Sequence, residues 1–151
     1  MGISKEAIIS GSMVLDYIPQ RHPIVMVDAF YGIDNALSES GLKVSPDNIF
    51  VENGLLTEGG LIEHVAQSGA LRIGYEHITK GELVPLGFLG AISDLSILRL
   101  PLVNTSLRTK LIVENDVFGI TLFSAEVIEN NEVIMTCKMK VALEKKGEFN
   151  G

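Results

Sequence analysis

A carboxylate and a carboxamide four residues apart, Glu63 and Gln67 in Gly59-Gly60-Leu61-Ile62-Glu63-His64-Val65-Ala66-Gln67, are the residues of this sequence best placed to do chemistry. At about 100° of rotation per helical residue, Glu63, Gln67, Ala70 and Gly74 fall on one narrow stripe, so both polar groups stand among small residues. A carboxyl group there can exchange a proton with a ligand. A Glu near the first turn of a helix also favours the positive end of the macrodipole, which requires no ligand. Other candidates are fewer. His22, His64 and His77 lack metal-ligand spacing, and no His-Glu-x-x-His occurs. Cys137 is the only cysteine, which excludes an internal disulfide and a multi-cysteine metal site. Its place on the apolar face of an alternating segment marks a buried thiol rather than a nucleophile. Ser12 and Ser68 lie in Gly-Ser-Met and Gln-Ser-Gly, not in the Gly-x-Ser-x-Gly of a hydrolase elbow, and no glycine-rich phosphate loop is present. No cofactor is expected.

The stripe needs a helix to carry it. Over residues 59–75, Leu61, Ile62, Val65, Ala66, Ala70, Leu71 and Ile73 spread apolar surface around most of the circumference, the pattern of a helix wrapped by a sheet. Thr57 can cap it, and the exit runs through Gly81 and Pro85. Upstream, Ser12 is placed to cap a short helix carrying Met13, Val14 and Tyr17 that stops before Pro19. Residues 24–33 read as a strand and residues 37–44 as its partner, with turn residues at 32–36 and a break at 45–48.

Downstream the period changes from about 3.6 to 2. Strands are expected at 86–98, 107–114, 118–129 and 132–143, the last two joined by Asn130-Asn131, and the polar tail 144–151 is expected to fray. The expected fold is α+β, one long helix wrapped by an antiparallel sheet of about six strands, in a single domain over residues 1–151. Such a layer leaves one helix flank and the outer sheet face bare, so a dimer with the sheets joined edge to edge is expected.

Charge narrows the partners. Nineteen acidic against twelve basic residues give a net charge of −7, with no basic run interleaved with aromatics, so neither nucleic acid nor an acidic membrane surface is an expected partner. No uncharged apolar run reaches the length of a membrane span, and the first residues do not read as a secretory signal, so a cytoplasmic protein is expected.

Three blocks carry a family resemblance. The segment Ile18-Pro19-Gln20-Arg21-His22-Pro23-Ile24-Val25-Met26-Val27-Asp28 resembles LPHRYPFLLVD, and Leu61-Ile62-Glu63-His64-Val65-Ala66-Gln67 resembles LIIEAMAQ. Phe88-Leu89-Gly90 through Ile97-Leu98-Arg99 is similar to FAGID…F…R, and Asn131-Glu132-Val133-Ile134 to the last hairpin. All belong to the bacterial 3-hydroxyacyl-acyl-carrier-protein dehydratases, which have the hotdog fold. The resemblance implies elimination of water from a (3R)-3-hydroxyacyl thioester of acyl carrier protein or coenzyme A, within fatty-acid or polyene-type biosynthesis. Glu63 would be the acid that protonates the departing hydroxyl. Gly59 and Gly60 would let the thioester carbonyl approach the N–H groups of the helix start. Gln67, Phe88 and Gly90 would join them in binding substrate.

One part of that pattern is missing. The family's base is a His in a GHFP motif, and gap-free counting from Glu63 puts Ile49 there, in Asn48-Ile49-Phe50-Val51. His22, brought in from a partner subunit, is the candidate replacement. Two alternatives stand beside the enzyme: a non-catalytic acyl-thioester-binding subunit of a heteromeric dehydratase, and a hotdog thioesterase. The dimer is accordingly either a homodimer or a heterodimer with another hotdog subunit. Docking of an acidic carrier protein would fall to Arg21, Arg72 or Arg99.

Overall fold

The computed structural model describes residues 2–144. Its centre is helix α1, Glu58–Thr79, capped by Thr57, whose Oγ1 accepts a hydrogen bond from the Gly60 N–H at 3.3 Å. Leu61, Val65, Leu71 and Ile73 are buried on it, and so are the polar His64, Gln67 and Arg72. It extends four residues beyond position 75, where the apolar pattern weakens but no breaker stands before Gly81, which takes a φ of +71°.

Around α1 curls one antiparallel sheet. It is built from β1 (Ile9–Ser10), β2 (Ala29–Asp34), β3 (Leu37–Lys43), β6 (Gly87–Ile97), β7 (Ser106–Val117), β8 (Ile120–Glu129) and β9 (Glu132–Leu143). The order is β1-β2-β3-β7-β8-β9-β6, seven strands rather than the expected six or so. A separate two-stranded ribbon, β4 (Val51–Glu52) with β5 (Leu55–Leu56), precedes α1. Asn130 and Asn131 turn the β8–β9 hairpin with φ of +50° and +62°. The core fills the space between sheet and helix, with Met26, Leu61, Val65, Phe123, Met135 and Met139 at its centre. Cys137 lies in that core, and burial pushes its thiol up to about 11. Apart from Glu144, the tail expected to fray lies outside the described residues.

Two expectations near the N-terminus need correction. The short helix is a 3-10 helix over Gly11–Asp16, and Ser10 rather than Ser12 occupies its N-cap position, with no side-chain capping bond. More tellingly, the strand expected over 24–33 begins only at Ala29. Residues 24–26 are not paired to a strand because α1 takes their main-chain groups instead. The Met26 N–H donates to Gln67 Oε1 at 2.6 Å, Gln67 Nε2 donates to the Ile24 carbonyl at 2.7 Å, and His64 Nδ1 donates to the Met26 carbonyl at 2.6 Å. Met26 and Val27 of the run Ile-Val-Met-Val are buried, as they would be in a strand, while the main-chain groups of Ile24 and Met26 are satisfied by side chains from a helix.

The donor at Nδ1 fixes the tautomer of His64, because a carbonyl can only accept. Nε2 therefore accepts from the Thr109 hydroxyl on β7 at 2.7 Å. The ring is fully buried, and desolvation lowers its pKa from 6.5 to about 4.

A further contact holds the chain just upstream. Gly74 on α1 has no room for a side chain, because a Cβ there would overlap the main-chain carbonyl of Tyr17. The end of the 3-10 helix is thus seated directly on α1.

His64 stays neutral in the folded chain while the unfolded chain takes up a proton as pH falls through 6.5. Stability is therefore lost between pH 6.5 and about 4, by an amount of order 3 kcal/mol in full. His64→Gln keeps one donor and one acceptor without titrating. Its thermal midpoint should fall less steeply than the wild type's across that window, and equal slopes would remove His64 as the linked group. Gly74→Ala should displace Tyr17 and lower stability by about 2 kcal/mol or more in denaturant melts.

Candidate active site

Glu63 lies one turn from Gln67 on the half-buried flank of α1, and Gln67 Nε2 donates to Glu63 Oε1 at 2.8 Å. The expected stripe is thus realised, with a division of labour that spacing alone does not reveal. Gln67 is fully buried; its oxygen accepts from Met26 and its nitrogen donates to Ile24 and Glu63. Both amide hydrogens are engaged, so Gln67 positions Glu63 rather than offering a donor to a substrate.

Beside Glu63 opens a cavity of about 150 Å³. Ala66, Ala70 and Ile73 of α1 form one wall, Gly87 and Leu89 of β6 and Val141 of β9 another, and Pro19, Gln20, Val84 and Pro85 cross its end. Small residues on α1 leave the space, and β6, displaced to the sheet edge, bounds it. Among the described residues, Glu63 and Gln20 are the only polar side chains in the lining. An apolar cavity lined by a carboxyl group suits an apolar chain bearing one polar reacting centre.

The other expected binding residues are placed differently. At Gly59 nothing stands within 4 Å of where a Cβ would be, which leaves the helix start open on that side. At Gly60 the close approach is made by the protein itself, since a Cβ would lie 2.6 Å from Leu56 Cδ1 and 2.7 Å from Phe50 Cβ. On β6, Gly87 and Leu89 face the cavity; Phe88 between them points the opposite way and is 55% exposed. Gly90 sits at the register irregularity between Leu89 and Ala91. Leu89, Val84, Pro85 and Gln20 are thus cavity residues that sequence reasoning misses. The period-2 alternation of β6 could have found Leu89; nothing local marks the other three.

No histidine lines the Glu63 cavity. His64 is committed to Met26 and Thr109. His77 Nδ1 bonds the Ile73 carbonyl at 2.8 Å, and its Nε2 lies 3.9 Å from Glu82. His22 lines a different hollow, with Asp28, Lys43 and Asn48. In that hollow, burial raises the Asp28 carboxyl above its usual range despite the Lys43 main-chain N–H donated to it at 2.9 Å. Ile49 is 52% exposed to solvent and does not reach the cavity. Ser68 Oγ donates back to the His64 carbonyl at 2.8 Å, as a helix-interior hydroxyl does.

The three arginines considered for docking all carry internal duties. Arg72 is buried and donates to the carbonyls of Ala36 and Asn35, which removes it from any docking surface. Arg99 pairs with Glu129 at 2.9 Å and Glu132 at 3.0 Å. Arg21 donates to the carbonyls of Ile18 and Gln20 beside the cavity. Among the described residues no cluster of metal-ligating side chains occurs, and no helix is long and apolar enough to cross a membrane.

Gln67→Leu strands the Met26 N–H and the Ile24 carbonyl inside the protein. It should cost about 2 kcal/mol or more in chemical denaturation. A loss below about 0.5 kcal/mol, the range of ordinary surface changes, would contradict the clamp.

Residues 12–149 match the ApeP-like family, described as ApeP dehydratase. No curated protein sequence matches the chain. Among solved structures, the dehydratase heterocomplex ApeI:P from Xenorhabdus doucetiae is similar with a TM-score of 0.82 at 19% identity, over 89% of this chain and 93% of that one. The E. coli PaaI protein of a phenylacetic acid degradation operon gives a TM-score of 0.63 at 11% identity, covering 79% and 80% of the two chains. A hypothetical thioesterase with coenzyme A from Streptococcus pneumoniae gives 0.59 at 13% identity, covering 76% and 84%. At these identities the structural likeness shows the fold, and the fold is the hotdog one. The match over residues 12–149 settles the kinship: the chain belongs to the ApeP-like dehydratase family.

Proposed function

We propose that this chain is the acid-bearing half of an acyl-thioester dehydratase completed by a second hotdog subunit. One observation carries the reading: Glu63 lines an apolar cavity that no histidine of the chain lines. The base has to come from elsewhere. Edge strand β6 offers the way in, since among the described residues its outer side pairs with no strand, its Leu89 lines the cavity, and Phe88, Leu89 and Leu95 are exposed along it. The solved relative is a dehydratase heterocomplex, which supports an unlike partner over a second copy.

The reaction is an elimination from a 3-hydroxyacyl thioester, presented on acyl carrier protein or coenzyme A. A base on the partner removes the proton from C2. The C3–O bond breaks as C2=C3 forms, and the Glu63 carboxyl gives its proton to the departing oxygen, releasing water. Gln67 fixes the carboxyl at the cavity, and the open helix start at Gly59 can polarise the thioester carbonyl as charge builds on it. Placing acid and base on facing chains makes turnover conditional on assembly.

Ile49 at the family's base position favours a second reading, a subunit that binds acyl thioester without taking part in the chemistry. One assay separates the two. The full chain, alone and with a histidine-bearing hotdog partner, is incubated with a 3-hydroxyacyl-carrier-protein thioester, and the product is weighed by mass spectrometry. The expected result is loss of water only with the partner, reduced about a hundredfold or more by Glu63→Gln. Undiminished water loss by the Glu63→Gln complex would assign this chain a supporting role, and release of free acid would make it a thioesterase.

A further inference from the structure

At about 150 Å³ the Glu63 cavity has the room of a dry protein cavity that takes up one benzene molecule, or about six carbons. Sites that enclose whole ligands are larger, about 300–1,000 Å³. A longer acyl chain has to continue somewhere. A second hollow, of about 350 Å³, adjoins the first. Pro19, Val84 and Pro85 line both, so the two spaces meet at these side chains. The second hollow lies toward the end of α1 away from Glu63: Tyr17, in its lining, is seated on Gly74, about 16 Å along the helix from Glu63 at 1.5 Å per residue. Leu15, Ile18 and Leu86 add apolar surface to it, and its charged residues, Asp16, Arg21 and Glu144, are exposed.

The two sides of the junction are held differently. Pro19 belongs to a fixed loop, since Tyr17 sits on Gly74 and Arg21 Nη1 donates to the carbonyls of Ile18 and Gln20 at 2.8 and 2.7 Å. Val84 and Pro85, both half-buried, belong to a strap pinned at its ends. The Glu82 N–H donates to the His77 carbonyl at 2.9 Å, and the Leu86 carbonyl accepts from the Glu144 N–H at 2.8 Å. Between those pins no main-chain hydrogen bond holds residues 83–85 among the described residues, and Gly81, at a φ of +71°, separates the strap from α1. Backbone without such bonds shifts at little cost.

We propose that the second hollow is a subsite for the far end of the acyl chain, and that the strap at Val84 and Pro85 gives way to admit it. The proposal rests on the reading of the Glu63 cavity as an acyl-thioester site and deepens it by substrate class. The preferred thioesters carry apolar chains longer than the cavity alone encloses, about six carbons.

The test is calorimetric titration of the full chain, in the oligomer in which it purifies, with hexanoyl-pantetheine and decanoyl-pantetheine. Each methylene buried is worth about fourfold in affinity, so the decanoyl compound should bind about a hundredfold more tightly. Leu86 lines the second hollow and not the first. Leu86→Trp fills that hollow and should bring the ratio to within about fourfold; Leu86→Phe, a smaller change, should give an intermediate ratio. A ratio unchanged in both variants, or equal weakening of both compounds, would overturn the proposal. Hexanoyl binding with no gain for decanoyl in the unaltered chain would overturn the subsite and leave the Glu63 cavity standing. Binding of neither compound would overturn the acyl-thioester reading along with it.

Discussion

Two polar side chains buried on α1 hold this molecule's functional region together. Gln67 and His64 take the main-chain groups of Ile24 and Met26, which would otherwise need a neighbouring strand. Each bond is worth little on balance, about 1 kcal/mol, yet each is expensive to leave unmade in the interior. The segment is therefore held to one position along the helix. Through it the preceding loop is laid across the end of the Glu63 cavity, and Tyr17 is drawn onto Gly74. The same carboxamide that anchors the segment also holds the carboxylate, so one residue couples folding to the geometry of the site.

The proposed function couples chemistry to assembly as well. Every histidine is accounted for by a partner or a location away from Glu63, and the position where the resemblance expects a base carries an exposed isoleucine. What the chain does supply is a channel of small and apolar residues, a fixed carboxyl group and an open helix start. In the proposed reaction those parts bind and protonate. Removal of a proton from carbon requires a different kind of group, and the exposed face of β6 is where one can be delivered.

Much of this was legible in the residues. Because both are periodic and locally determined, the alternation of Val133, Met135, Cys137, Met139 and Val141 gave the last strand to the residue, and the all-round apolar pattern of 59–75 gave the helix's start to within one residue but its end four short, where the pattern fades. The stripe placed Glu63 beside Gln67 for the same reason. Residues 24–28 were misread because burial and hydrogen bonding usually coincide in a strand, and here they part: the apolar side chains pack as expected while α1, some forty residues away, satisfies the backbone. Phe88 drew attention through its motif, yet only the pairing of β6 with β9 shows which face it takes. Gln20 stands within the block that resembles LPHRYPFLLVD, yet its residue type gives no sign that it lines the cavity until its surroundings are built.

The two edges of the sheet are unequal. At one end stands β1, two residues long and followed directly by the 3-10 helix; at the other stands β6, eleven residues long and open along its outer side. Strand addition needs a run of unpaired N–H and C=O groups, which only the β6 end provides. Joining two such sheets through β6 uses up the adhesive edge of each and exposes none in return. In a pair joined that way growth by sheet extension would stop, and a long, apolar edge strand that could seed fibres would become a terminating joint.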